Sequence, residues 1–363
     1  MKRKKRIAIL TGGGDCPGIN AVIRAITKKA ILEYDMQIIG IKDGYEGLIH
    51  NKYRTLSYDD VSGIITLGGT ILGTSKKANP FQYAVENGGQ LKFEDRSHDV
   101  LKNIEALEID CLVCIGGDGT LWITNRLYQE GVPVIGVPKT IDNDIRGTDI
   151  TFGFDSAVAI ATEGIDRIHT TAQSHHRIMF VEVMGHKAGW IALHSGIAGG
   201  GDVILIPEIP YQIDKIVQYI HQRRKRGRRF SIIVVAEGAK PVGGEVVIQK
   251  IVKESSDPIR LGGISLVLGE QLEKIISLET RAVVMGHLQR GGSPTPFDRV
   301  LATRLGSKAV DLMIEKSYGK MVSVQGDRLG DFPLSRVAEG PRLIPEDHEL
   351  VTSAREIGVS FGV

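Results

Sequence analysis

Ile7-Ala8-Ile9-Leu10 runs into Thr11-Gly12-Gly13-Gly14-Asp15-Cys16-Pro17-Gly18, and an amphipathic stretch, Ala21–Glu33, follows. An apolar run too short for a helix, ending at glycines and followed by a helical period, reads as strand, tight turn and helix. Exposed N–H groups in such a turn, with the positive end of the helix dipole behind them, form a cradle for phosphate. The spacing matches neither the dinucleotide fingerprint nor a Walker A loop. Tight glycine turns also occur without ligands, so the ligand stays open at this point.

The alternation repeats outward from that unit. Candidate strands are Ile38–Ile41, Leu112–Ile115, Val134–Val137, Ile178–Val183, Val203–Ile206, Ile232–Val235 and Arg281–Met285. Helical stretches include Ser156–Thr171, Asp214–Lys225 and Asp298–Ile314. Strands apolar on both faces, alternating with helices, predict an α/β fold of mostly parallel sheets flanked by helices. A chain of 363 residues exceeds what one hydrophobic core covers, so two lobes are expected, with a boundary near Gly153. Glycines cluster at the carboxyl ends of the strands, the edge where open α/β sheets bind small molecules.

Composition removes several function classes. Lys plus Arg is 45 against 43 for Asp plus Glu, a net charge of +2, which excludes a strongly basic nucleic-acid binder as the main role. The apolar run behind Met1-Lys2-Arg3-Lys4-Lys5-Arg6 is shorter than a signal-peptide core of ~7–15 residues. No stretch approaches the ~20 apolar residues that cross a bilayer. Three cysteines build no disulfide framework, so a reducing cytoplasm is the expected compartment.

Two further loops carry chemistry. Gly116-Gly117-Asp118-Gly119-Thr120 follows a buried strand and puts a carboxylate in the turn. That Asp reads either as a hard oxygen ligand for phosphate-bound Mg²⁺ or as an Asx-turn or helix cap. Gly136-Val137-Pro138-Lys139-Thr140-Ile141-Asp142-Asn143-Asp144 is denser. One of its carboxylates can accept a hydroxyl proton while the other supports a metal or orients the loop, and Lys139 suits phosphate.

Three other features carry bland readings. Cys111-Leu112-Val113-Cys114 has redox or zinc spacing but lies in a predicted buried strand, so core cysteines are expected. Arg223-Arg224-Lys225-Arg226-Gly227-Arg228-Arg229 reads as a solvated helix end with Gly227 just past it. His175, His176 and His194 lack a metal-binding pattern and are assigned structural roles.

Taken together, the three loops resemble the 6-phosphofructokinase family, and the likeness covers most of the chain. It continues through Phe152-Gly153-Phe154-Asp155-Ser156-Ala157, Gln173-Ser174-His175-His176-Arg177 and Val181-Glu182-Val183-Met184-Gly185. It resumes at Ala198-Gly199-Gly200, Pro207-Glu208, Ala236-Glu237-Gly238 and Arg281 through Pro294. The resemblance implies phosphorylation of the 1-hydroxyl of fructose 6-phosphate by ATP with Mg²⁺, the committed step of glycolysis. It implies a donor lobe of residues 1–153 with about 289–339, and a sugar lobe of 154–288 with about 340–363. NAD kinases and lipid kinases share only the Gly-Gly-Asp-Gly-Thr loop, and a non-catalytic sugar-phosphate regulator would not need both Asp118 and Asp142.

Within the resemblance, Asp142 is the base, with Thr140 and Asp144 beside it. Gly14, Lys76, Lys77, Gly117, Asp118, Gly119 and Thr120 hold the donor, with Asp118 bearing on Mg²⁺. Arg177, Arg281, His287 and Arg290 receive the sugar 6-phosphate, Met184, Gly185 and Glu237 contact the sugar, and His186 belongs to the same substrate-binding set. Several cations, arginines above all, suit a phosphate dianion. The family is homo-oligomeric, commonly tetrameric, which implies that Arg177 and Arg281 reach a neighbouring subunit's site.

Two positions depart from the family pattern: Lys76-Lys77 and His186 stand where many members carry arginines associated with the transferring phosphoryl group. His169 likewise replaces an effector-site arginine of shorter bacterial relatives, which argues against nucleotide control. The donor positions disagree. Gly119 accompanies ATP use, because a side chain there would fill the volume of the nucleotide α-phosphate, whereas Lys139 accompanies pyrophosphate use. A flexible Lys can swing clear of ATP, so Gly119 is given precedence and ATP is predicted, with a pyrophosphate-dependent enzyme as the alternative.

Overall fold

The computed structural model describes residues 3–88, 90–252 and 258–363. Its first part carries β1 (Arg6–Thr11), α1 (Ile19–Tyr34), β2 (Gln37–Ile41), α2 (Tyr45–Ile49), β3 (Tyr53–Leu56), β4 (Tyr83–Asn87) and β5 (Gln90–Glu94). Then come α3 (Ser97–Ala106), β6 (Cys111–Gly116), α4 (Asp118–Gln129), β7 (Val134–Pro138), α5 (Phe154–His175), β8 (Ile178–Val183), α6 (Trp190–Ala198) and β9 (Val203–Leu205). The chain continues with α7 (Ile213–Lys225), β10 (Ser231–Ala236), β11 (Ile248–Ile251), β12 (Ile259–Leu261), α8 (Ile264–Ile276) and β13 (Thr280–Val284). It closes with α9 (Pro296–Ile314), β14 (Lys320–Gln325), β15 (Arg328–Pro333), α10 (Leu334–Val337) and α11 (Glu349–Glu356).

Two sheets organise these elements. The larger runs β15-β14-β7-β6-β1-β2-β3 and is parallel except for its two edge strands. The smaller runs β13-β8-β10-β9, all parallel. Side-chain alternation places each strand in two layers. Ile7 and Ile9 of β1 join one core cluster, while Ala8 and Leu10 join another on the opposite face. Cys111 and Cys114, three residues apart on β6, therefore point to opposite faces and remain buried thiols.

Parallel pairing aligns the functional loops. In the larger sheet, Thr11 is level with Ile115, and Gly116 with Pro138, so the turns after β1, β6 and β7 begin side by side. The chain leaves β1 toward β2 on one side and returns through β6 on the other, which makes this the switch point where open sheets bind ligands. In the smaller sheet, Val183 pairs with Ala236 and Glu182 with Val284, which aligns the turns carrying Met184, Glu237 and His287.

The basic run ends a helix as expected: α7 stops at Lys225, Gly227 has φ +84°, and Arg223 pairs with Asp202 at 2.7 Å. No helix of the described residues is long and apolar enough to cross a membrane.

Candidate active site

The turn after β7 is held rigid from within. Thr140 Oγ1 donates to Asp142 Oδ2 at 3.1 Å and accepts from the Asp142 backbone N–H at 3.1 Å. Thr151 Oγ1 donates to the Thr140 carbonyl at 2.7 Å, and its N–H donates to Asn143 Oδ1 at 3.0 Å. Asn143 adopts φ +53°, a left-handed step that separates the two aspartates. The result is a buried Asp142 Oδ1 with no hydrogen-bond partner. A buried carboxylate oxygen left unmatched is a place built for a proton donor.

Asp144 is buried, and burial, then the charges of Asp142 and Asp118, push its carboxyl well above the ordinary range. The charges of Asp142 and Asp118 thus converge on Asp144, and Arg342 opposes them more weakly. Asp118 opens α4, exposed, with Oδ1 accepting from the Gly119 N–H at 2.6 Å. Among the described residues, no three His, Cys, Asp or Glu side chains form a complete metal cage.

Cations gather within electrostatic reach of Asp142. Lys139 is buried and donates to the Gly14 carbonyl; burial is the largest influence lowering its pKa. Arg290 Nη1 donates to the Asp15 carbonyl at 3.0 Å, and its buried Nε has no partner. A Cβ on Gly14 would lie 2.2 Å from Arg290 Nη1 and 3.0 Å from Lys76 Cε, so only glycine lets these cations close on the turn. Partial desolvation, followed by the charges of Arg290, Arg260 and Lys139, brings Lys76 down to about 8. Thr120 fills the space over Gly12 and Gly116, whereas a Cβ at Gly119 would meet nothing within 4 Å. Beside Ser75 and Lys77 a recess of about 600 Å³ opens toward β4 and β5.

The sugar-side turns interlock. The Met184 N–H donates to Gln289 Oε1 at 2.8 Å, and the His186 N–H donates to Glu237 Oε1 at 3.0 Å. Gly185 has φ +145°, and a Cβ there would lie 2.4 Å from the Ala188 carbonyl oxygen. Burial, then Asp142, raises Glu237 to about 7. His287 lies exposed on the turn Gly286–Arg290.

Arg177 and Arg281 are not brought to this cluster. Arg177 immediately precedes β8 and Arg281 is near the start of β13; both pair with Glu279. Met184 and His287 sit at the other ends of these strands, roughly 17–20 Å along a strand of this length. The sequence reading also passed over Gln289, Thr151 and Arg342. Gln289 falls within the family-like stretch from Arg281 to Pro294, but nothing local marks its side chain as buried and aimed at Met184. Arg342, which donates to the Asn143 carbonyl at 2.9 Å, is distant in the chain and carries no motif.

The phosphofructokinase family model matches residues 6–313. The chain belongs to the phosphofructokinase family. It is 53% identical over 363 residues to ATP-dependent 6-phosphofructokinase 2 of Clostridium perfringens, covering 99% of both chains. It is 47% identical to the pyrophosphate–fructose 6-phosphate 1-phosphotransferase of Amycolatopsis mediterranei, covering 98% of this chain and 100% of that one. The solved T-state phosphofructokinase of Pichia pastoris superposes with a TM-score of 0.79 at 32% identity, over 99% of this chain and 37% of that longer one.

Proposed function

We propose that this phosphofructokinase transfers the γ-phosphoryl group of ATP to the 1-hydroxyl of fructose 6-phosphate, with Asp142 as the general base. The unmatched, buried Asp142 Oδ1 carries this reading. It lies on a braced turn between the glycine turns and the sugar-side turns. Burial and the neighbouring charges favour the protonated form of Asp144, so it is not available to take the hydroxyl proton. As the hydroxyl proton passes to Asp142, the hydroxyl oxygen bonds to the γ-phosphorus. The bond from that phosphorus to the β–γ bridging oxygen breaks, and ADP leaves.

Charge complementarity supports the remaining roles. Gly14, Gly117, Gly119 and Thr120 form the donor cradle, with Lys76, Lys77 and Lys139 beside it. Lys139 supplies charge near the transferring group, in place of the arginines absent at positions 76 and 186. Asp118 fits Mg²⁺, which binds one or two carboxylates together with substrate phosphates and neutralises their charge. Met184, Gly185, His186 and Glu237 hold the sugar, and His287 and Arg290 its phosphate. Arg177 and Arg281, remote from their own chain's cluster, complete the site of a neighbouring subunit in a homo-oligomer, a tetramer on the family pattern. Residues 1–153 with about 289–339 make the donor lobe around the larger sheet, and 154–288 with about 340–363 the sugar lobe.

ATP is favoured over pyrophosphate by the open space at Gly119 and by the recess beside Lys77, which offers room for a nucleoside that pyrophosphate lacks. Incubating the protein with fructose 6-phosphate, Mg²⁺ and either donor, and following bisphosphate formation, tests this. Turnover with ATP is expected, and turnover with pyrophosphate alone would overturn the donor assignment.

A further inference from the structure

Between α10 and α11 the chain runs as a strap without regular structure, and Arg342 lies on it. The Arg342 backbone N–H donates to the Asp144 carbonyl at 2.7 Å, and its Nη2 donates to the Asn143 carbonyl at 2.9 Å. One residue therefore caps both carbonyls at the left-handed step that sets Asp142 apart from Asp144. The same guanidinium lies 4.3 Å from the centre of the Trp190 ring, and Trp190 Nε1 donates back to the Arg342 carbonyl at 3.0 Å. Trp190 opens α6, directly after the sugar-side turn. Two residues along the strap, the Ile344 N–H donates to Glu208 Oε1 at 3.1 Å, and that carboxylate also accepts from the Gly189 N–H at 3.0 Å.

The strap thus grips two separate turns at once. Thr151 braces Asn143 through its side chain, and Arg342 braces it through its carbonyl. A planar guanidinium can stack on a ring and donate in its own plane together, which an ammonium cannot. We propose that Arg342 is a positioning residue for phosphoryl transfer, holding the Asp142–Asp144 backbone in register with the sugar-side turn at Met184–Gly189. This rests on the reading of Asp142 as the base.

Steady-state kinetics of the full chain with ATP, Mg²⁺ and fructose 6-phosphate test it on Arg342→Ala, Arg342→Lys and Asp142→Asn together. Displacing a reacting group by about 1 Å costs about 10²-fold, so kcat of Arg342→Ala should fall by about that factor with KM for ATP within about twofold of the parent. Added methylguanidinium should restore part of the lost kcat, a response that general damage to the fold does not give. Arg342→Lys should fall between the parent and Arg342→Ala, since an ammonium can reach the Asn143 carbonyl but cannot stack. The proposal is overturned if Arg342→Ala keeps its kcat while Asp142→Asn loses turnover. It is equally overturned if methylguanidinium restores nothing and the loss follows the fraction unfolded. Retained turnover in Asp142→Asn would instead remove the base assignment on which the proposal rests.

Discussion

The ammonium of Lys139 donates a hydrogen bond to the Gly14 carbonyl, joining the turn after β7 to the turn after β1 across the head of β6. The Lys139 backbone N–H donates to the Gly116 carbonyl at 2.9 Å, at the end of the strand between them, so this one residue ties all three turns together. Lys139→Gly removes the link to Gly14 and a positive charge beside Asp142. Turnover with ATP is expected to fall, and steady-state assay checks it; unchanged ATP turnover would leave Lys139 without a role in transfer.

Gly119→Asp separates donor choice from folding. The new side chain projects into open space, so stability should stay within about 0.5 kcal/mol of the parent, as for an ordinary surface change. Its carboxylate would occupy the donor's volume and repel phosphate, so ATP turnover should drop by about 10²-fold or more, as for a misplaced reacting group. Denaturant unfolding and ATP kinetics on one preparation give both quantities. Normal ATP use would show that position 119 does not face the nucleotide.

How much of this was legible in the sequence follows from the range of the forces involved. The strand–turn–helix units at Ile7–Gly18 and Leu112–Thr120 were readable because apolar periodicity and glycine placement are local. The antiparallel pairs β4–β5 and β14–β15 were not anticipated. Their residues are mixed or exposed, and the pairing is set by tertiary contact rather than by period. Asp142 and Lys139 could be picked out by residue type. The orphaned Oδ1 and the left-handed Asn143 depend on how the folded turn closes on Thr140 and Thr151, and the Arg342 clamp arises only when segments about 200 residues apart meet, so residue type alone marks none of them.

Glu237 makes stability depend on pH. Its carboxyl is raised from 4.5 to about 7, so the folded chain keeps a proton that the unfolded chain releases. That stabilisation is complete below about pH 4.5 and is lost as pH rises through about 7. Glu237→Gln lacks the titration, so parent minus variant stability should decline by roughly 3 kcal/mol at most between those limits and about pH 8. Urea unfolding across that range measures it, and a flat difference would mean that Glu237 titrates normally.

Arg281 tests the oligomeric site. Arg281→Ala should raise KM for fructose 6-phosphate and leave ATP saturation nearly unchanged. Mixing Arg281→Ala chains with Asp142→Asn chains should recover activity, because some sites then draw an intact Arg281 and an intact Asp142 from different chains. Verified mixed oligomers with no recovery would place each site within one chain.

Asp142→Asn tests the central claim most directly. The amide keeps the size of the side chain but cannot take the hydroxyl proton. Turnover with ATP and fructose 6-phosphate is expected to fall by about 10²–10⁴-fold or more. Fructose 6-phosphate binding, measured by calorimetry on the same variant, should persist. Near-normal turnover in Asp142→Asn would contradict the account, because no other carboxylate in the cluster combines burial with an unmatched oxygen among the described residues.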